Sequence, residues 1–87
     1  MRSFLTDDFR ACSARLPNQI KALAKKNYRL WVRNSSHPSL QFKKIHSEEN
    51  LYSIRIGKGW RALGLMEKGS IYWFWIGSHA DYDQLIK

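Results

Sequence analysis

The spacing of hydrophobic residues changes once along this chain, near Pro38. Before that point, apolar residues recur at every third or fourth position, which is typical of amphipathic helices. After it, apolar and polar residues alternate or apolar residues run together, as they do in half-buried and fully buried strands. The pattern therefore predicts an α+β fold, in which two N-terminal helices pack on one face of a twisted, mainly antiparallel β-sheet.

The predicted helices follow a short first strand over residues 2–6. Thr6 has the side chain of a helix N-cap. The first helix is expected to end near Leu16, because Pro17 suits the first turn of a second helix. The two helices are expected to form a hairpin. The second helix carries its large apolar residues on one side, namely Ile20, Leu23, Ala24, Tyr28 and Trp31.

The second half of the chain predicts a meander of strands joined by polar or glycine-containing turns. Residues 57–59, Gly-Lys-Gly, supply the glycines that a tight hairpin needs. Residues 71–76 are apolar on both faces, so we expect that strand in the sheet interior. A final helical turn is expected over residues 81–86. The predicted strands are residues 40–46, 51–56, 60–66 and 71–76.

The chain is strongly basic for its size. Its 87 residues include 15 Lys and Arg against 7 Asp and Glu, which gives a formal net charge of +8. Such a charge attracts polyanions, whether nucleic acids, anionic membranes or acidic proteins, although it also fits a merely soluble basic surface. The length suffices for one hydrophobic core, so residues 1–87 are expected to form a single domain.

The sequence also bears on compartment and cofactors. Cys12 is the only cysteine, so no internal disulfide can form, and a packed thiol is expected. No charged-then-apolar leader opens the sequence, and no apolar run approaches ~18 residues. We therefore expect a cytoplasmic protein without a membrane partner. No metal-ligand cluster stands out in the sequence, and no cofactor is expected.

Basic residues gather around the predicted hairpin. Arg55 precedes the turn and Arg61 follows it, so the two are expected near one another on paired strands. Lys43 and Lys44 lie on a neighbouring segment. These residues either form a basic hollow on the sheet face that the helices leave open, or act as independent surface charges that keep sheet edges from associating.

The segment after the most apolar strand adds groups suited to proton transfer. His79 and Tyr82 follow that strand closely, and both side chain types can exchange protons. Together with Arg55 and Arg61, and without an acidic cluster, they resemble a phosphodiester site. In such a site the guanidinium groups bind the phosphate and its developing charge.

Three segments, in this order, resemble the RelE/ParE superfamily of toxins from type II toxin–antitoxin systems. They are residues 51–56 (LYSIRI), 59–63 (GWRAL) and 76–82 (IGSHADY). The segments 16–17 (Leu-Pro) and 38–40 (Pro-Ser-Leu) lie where members have similar segments. The resemblance spans nearly the whole chain and is closest to RelE- and HigB-like members. It implies two helices packed on a twisted antiparallel sheet, together with a cognate acidic antitoxin.

The resemblance also implies roles for individual residues. In RelE-like members a lysine matches Arg55 and arginines match Arg61 and His79, whereas histidine-ended members suggest His79 as the general acid. Pro38 occupies the region of the carboxylate in glutamate-using members, so the general base is left open. The implied catalytic residues are Arg55, Arg61, His79 and Tyr82, and the implied RNA-binding residues are Lys43, Lys44 and Lys58.

The function implied by the RNA-cleaving members is metal-independent cleavage of mRNA, on the ribosome, which inhibits translation. The same superfamily contains inhibitors of DNA gyrase that have no enzymatic activity, and a shared fold does not choose between them. A gyrase inhibitor is therefore the first alternative. An inactive relative that only binds its antitoxin is the second.

Overall fold

The computed structural model describes residues 2–86, which contain five strands and three α-helices. A short 3₁₀ helix, Pro38–Leu40, precedes the second strand. The α+β class is confirmed, and one strand has the predicted bounds. The strands are β1 (Arg2–Leu5), β2 (Lys43–Lys44), β3 (Leu51–Ile56), β4 (Trp60–Glu67) and β5 (Ser70–Ser78). The helices are α1 (Asp7–Ala14), α2 (Asn18–Arg33) and α3 (His79–Leu85).

The strands form one sheet in the order β1-β5-β4-β3-β2. β1 runs parallel to β5, and the other neighbouring strands are antiparallel. β5 is therefore an interior strand, as its apolar sequence predicts. Ile71 and Trp73, which share the core face of this strand, are 0% and 2% exposed, whereas Tyr72 on the other face is 37% exposed.

The N-terminal helices form where the sequence predicts them. The Thr6 hydroxyl accepts a hydrogen bond from the backbone N–H of Phe9 at 3.2 Å, which confirms Thr6 as the N-cap of α1. The apolar side of α2 packs into the core with all five predicted residues, and the Cys12 thiol of α1 packs against the same core as a free cysteine. Both helices thus bury their apolar sides against one sheet face.

Aromatic rings make up the centre of this core. The Trp31 ring from α2 meets the Trp73 ring of β5 edge to face, with centroids 5.4 Å apart. Phe42 approaches Trp31 in a similar T-shaped arrangement at 5.5 Å. Edge-to-face contacts of this kind stabilise a core beyond the burial of area alone. They fix α2 over the middle of the sheet and leave the opposite sheet face for other contacts.

The predicted strand over residues 40–46 is wrong in extent, because only Lys43–Lys44 pair as β2. Leu40 belongs to the 3₁₀ helix and is 0% exposed, so its side chain fills the core instead of lying on a strand. Gln41 then adopts a left-handed backbone conformation with φ of 46°, which reverses the chain before a strand can begin. Beyond β2, His46 Nδ1 accepts the backbone N–H groups of the following turn.

The C-terminal helix begins earlier than predicted and lies on the other sheet face. The Ser78 hydroxyl accepts the N–H of Asp81 at 3.2 Å, so Ser78 is the N-cap and α3 starts at His79. Tyr82 of α3 is buried against the side chain of Arg61. The next residue on that strand, Ala62, points to the opposite face and into the core, so α3 lies on the face away from α1 and α2. None of the helices within residues 2–86 combines the length and the apolarity needed to cross a bilayer.

Candidate functional site

Two arginines lie directly opposite each other on the sheet face that α3 partly covers. Arg55 of β3 and Arg61 of β4 are cross-strand partners in the antiparallel register, and both are partly buried. Like charges directly opposite each other on neighbouring strands are destabilising. We call these two residues the arginine pair. Their juxtaposition has no structural benefit of its own, so it favours a site that binds an anion.

Arg55 is held by its own hairpin and by α2. Its Nε donates to the carbonyl oxygen of Gly57 at 2.8 Å. The side-chain amide of Asn27 donates to the backbone carbonyl of Arg55 at 3.4 Å, which ties β3 to α2 at this position. The adjoining glycine allows this turn, because Gly57 has a φ of 62°. The guanidinium nitrogens beyond Nε remain available to a ligand.

Arg61 is held from two sides. Its Nη2 donates to Oε1 of Gln41 at 3.3 Å, and its Cζ lies 5.3 Å from the centre of the Tyr82 ring. Its Nε and Nη1 are buried and have no acceptor among residues 2–86. Buried donors without partners are costly, and a guanidinium matches the oxygens of a phosphate or carboxylate. Arg61 therefore has guanidinium donors that an anion could accept from.

His79 and Tyr82 lie together at the start of α3. Their ring centroids are 5.8 Å apart, and Tyr82 links His79 to Arg61 through its ring. The backbone N–H of His79 donates to the carbonyl of Gly59 at 2.7 Å, which fixes the helix start to the hairpin between the two arginines. His79 is about half exposed, whereas Tyr82 is 5% exposed. Three of the four predicted catalytic residues thus make one continuous contact series, and Arg55 is beside it.

The three predicted RNA-binding lysines do not share one surface. Lys43 pairs with Ser53, so their side chains lie on the same sheet face. Ser53 and Arg55 are two residues apart on β3 and share that face, so Lys43 lies on the face of the arginine pair. Lys44 pairs with Tyr52 and lies on the opposite face. Lys58 is exposed in the hairpin turn beyond Arg55. Of these three lysines, Lys43 alone lies on a strand with its side chain on the same sheet face as the arginine pair.

Three further residues of this face were not predicted as site residues. Gln41 contacts Arg61 from a left-handed loop position, and no sequence pattern marks it. Ser53 is 0% exposed and its hydroxyl has no partner among residues 2–86; a serine between apolar strand residues was the only available signal. Asp83 Oδ2 lies 3.2 Å from Nδ1 of His79, and the four-residue spacing on a helix is the signal that predicts such a contact.

The chemistry of this face follows from its donors. Within residues 2–86, no three or more His, Cys, Asp or Glu side chains cluster as metal ligands. The arginine pair offers guanidinium donors to an anion, and His79 offers an exchangeable proton at the edge of the same face. The arrangement can therefore bind a phosphate group and move a proton next to it.

Solved structures of low sequence identity have the same fold. The RelB–RelE antitoxin–toxin complex of Methanococcus jannaschii matches with a TM-score of 0.75 at 18% identity, over 97% of this chain and 99% of the matched chain. The RelBE2 toxin–antitoxin complex of Mycobacterium tuberculosis matches with 0.71 at 16%, over 90% and 96%. YafQ of Escherichia coli matches with 0.67 at 12%, over 94% and 98%. Identities this low establish the fold alone.

Sequence comparison assigns the family. A search of curated protein sequences gives no significant match. The family model of the ParE-like toxin domain matches residues 18–84, which run from the first residue of α2 to nearly the end of α3. That range includes both members of the arginine pair, His79 and Tyr82. The predicted superfamily is thereby confirmed: the chain belongs to the ParE-like toxin family, with a fold that it shares with RelE toxins.

Proposed function

We propose that this toxin is an endoribonuclease that cleaves mRNA on the ribosome and so inhibits translation. The observation that carries the proposal is the state of Arg61, whose buried Nε and Nη1 have no acceptor within residues 2–86. Two oxygens of a phosphate group can accept together from the planar donor fork of a guanidinium. Net charge of +8 favours a polyanionic substrate in the same direction.

The proposed reaction uses a nucleophile that RNA itself provides. The ribose 2′-oxygen forms a bond to the adjacent phosphorus while the bond from phosphorus to the 5′-oxygen breaks. The 2′-hydroxyl proton passes to a water molecule, and the His79 imidazolium gives a proton to the departing 5′-oxygen. The products are a 2′,3′-cyclic phosphate and a free 5′-hydroxyl. Because no external nucleophile has to be generated, the scheme needs no metal ion.

The arginine pair stabilises charge in this scheme. Arg61 lies under Tyr82 and is preorganised, so its donors can meet the developing charge on the phosphorane without rearranging. Arg55 adds a second cation directly across the strand pair. Lys43 extends the basic surface along the same face toward the RNA backbone, with Lys58 at the hairpin and Lys44 less favourably placed. Tyr82 acts mainly by holding Arg61, since it is 5% exposed.

The proposed partner in the cell is a cognate acidic antitoxin. The relatives from Methanococcus jannaschii and Mycobacterium tuberculosis were solved as toxin–antitoxin complexes, which supports such a partner for this chain. An acidic segment would complement the net charge of +8 and the arginine pair. We place the toxin in the cytoplasm, as a single domain over residues 1–87. Co-expression with a short acidic neighbouring reading frame should yield a co-purifying complex that weakens with added salt.

A DNA gyrase inhibitor is the second candidate function. The observation that favours it is the match to a model described as ParE-like, because the gyrase inhibitors of the superfamily are its ParE members. In that case the basic face would contact protein, and His79 would have no chemical role. An inactive antitoxin-binding relative would likewise leave His79 without a role.

Cleavage on programmed ribosomes tests the proposal. Purified toxin is added to ribosomes that carry an end-labelled mRNA, with and without a chelator, and the products are examined for cyclic phosphate ends. Arg61→Ala should lower the rate by about 10²–10³ and His79→Ala by about 10²–10⁴. Arg29→Ala removes the same charge from an exposed position of α2 and should cleave normally. Intact mRNA with the unaltered toxin would refute the nuclease.

A further inference from the structure

The three histidines of this chain use their ring nitrogens in different ways. Nδ1 of His37 accepts the backbone N–H of Ser39 at 3.2 Å, and Nδ1 of His46 accepts the backbone N–H groups of Glu48 and Glu49, each at 3.2 Å. An accepting Nδ1 carries no proton, so both neutral rings must carry theirs on Nε2. These two histidines are local turn caps, and their contacts require no other partner.

His79 differs, because its Nδ1 faces a carboxylate and not backbone N–H groups. Its Nδ1 lies 3.2 Å from Oδ2 of Asp83, and an ionised carboxylate can only accept a hydrogen bond. The carboxylate favours a proton on Nδ1, and Nε2 of the neutral ring is then left without one. Both side chains are about half exposed, so an isolated pair of this type contributes little to stability. Its main consequence is the orientation and tautomer of the imidazole.

We propose that Asp83 is a positioning residue, which holds His79 so that Nε2 is the atom that exchanges protons with the substrate. The inference rests on the proposed nuclease function for its consequence in catalysis. In the cleavage step, Nε2–H of the imidazolium gives its proton to the 5′-oxygen as that oxygen leaves phosphorus. Nδ1 keeps its proton beside the Asp83 carboxylate throughout, so the ring returns to the neutral form with its single proton on Nδ1.

The surroundings of the pair support this geometry. The backbone N–H of His79 is fixed to Gly59 at 2.7 Å, and its ring lies 5.8 Å from the ring of Tyr82. Tyr82 in turn covers Arg61, with 5.3 Å from the ring centre to Cζ. Asp83 therefore orients a ring whose main chain is already held and whose neighbour touches the phosphate-binding arginine. Rotation of the imidazole is the freedom that remains, and Asp83 limits it.

The tautomer of His79 can be measured without any activity assay. Nitrogen-15 chemical shifts of the full-length chain, labelled at histidine, separate Nδ1–H from Nε2–H rings at a pH where the imidazoles are neutral. We expect His79 to give the Nδ1–H pattern, while His37 and His46 give the Nε2–H pattern in the same spectrum. In Asp83→Ala, His79 should lose the Nδ1–H preference, and the other two rings should not change. An Nε2–H pattern for His79 in the unaltered chain would overturn the proposal.

Cleavage of ribosome-bound mRNA then tests the catalytic consequence. Loss of a group that orients a functional imidazole typically costs on the order of 10–100-fold. Asp83→Ala should lower the rate by about that factor, and Asp83→Glu should restore part of it, because a longer carboxylate can still reach Nδ1. Asp81→Ala removes the same charge from the same helix without a contact to His79 and should remain within about twofold, in line with a screened surface charge.

The outcomes separate the two proposals. Alanine is the best helix former, so Asp83→Ala should keep α3 intact, which circular dichroism and the unchanged His37 and His46 signals can verify. If the tautomer shifts but cleavage by Asp83→Ala equals that of the unaltered toxin, Asp83 has no positioning role. If the unaltered toxin shows the Nδ1–H pattern yet cleaves nothing, the nuclease fails while the effect of Asp83 on the His79 tautomer stands.

Discussion

Replacing Arg61 by methionine should remove function while costing almost no stability. The substitution removes the hydrogen bond to Gln41 and the cation–π contact with Tyr82, which together contribute about 2–5 kcal/mol. It also relieves two buried donors that have no acceptor within residues 2–86, each of which costs about 1–3 kcal/mol. The two sums are similar in size, so the free energy of unfolding should change by no more than about 1 kcal/mol.

Urea denaturation of the purified variants measures this balance. Leu63→Ala is the matched control, because Leu63 is on the same strand and is 3% exposed. This substitution should lower the free energy of unfolding by about 2–5 kcal/mol. RNA cleavage by Arg61→Met should meanwhile fall by about 10²–10³. A loss of stability in Arg61→Met as large as that in Leu63→Ala would show that Arg61 is a structural cation, and the anion-site argument would fail.

Other substitutions have equally definite expectations. Lys43→Ala should lower cleavage about twofold to fivefold at low salt, whereas Lys44→Ala, on the opposite face, should not; steady-state rates at two salt concentrations check this. Leu40→Ala should lower the unfolding free energy by about 2–5 kcal/mol in urea, because the 3₁₀ helix buries that side chain completely. Gly64→Ala should lower the unfolding free energy by about 1–3 kcal/mol, since the added Cβ would lie 2.9 Å from Ile71. Gly59→Ala adds a Cβ in open space and should be close to neutral, and thermal melts of both variants check this.

Local patterns predict most of the fold because local interactions decide it. The cap at Thr6, the apolar side of α2 and the two-sided apolar strand β5 each follow from residues close in sequence. The segment around Leu40 does not, because its burial depends on a core built by α2 and β5. Alternation alone made that segment look like a strand, and the left-handed Gln41 that interrupts it has no signature in the sequence.

The candidate site divides in the same way. The opposition of Arg55 and Arg61 follows from the hairpin between them, and the strand register confirms it. The contacts that distinguish Arg61 from Arg55 come from elements distant in sequence. Gln41 lies in the loop before β2, and Tyr82 lies in the C-terminal helix α3. Burial of Arg61 without acceptors is a tertiary property, so no reading of the neighbouring residues could have predicted it.

Primer extension on transcripts from cells that express the toxin tests the central claim most directly. The account predicts discrete cuts within translated mRNA, at ribosome-bound codons, which disappear with Arg61→Ala and with His79→Ala while both variants still bind the antitoxin. Growth arrest with intact transcripts and trapped complexes of gyrase with DNA would contradict the account and establish the gyrase inhibitor in its place.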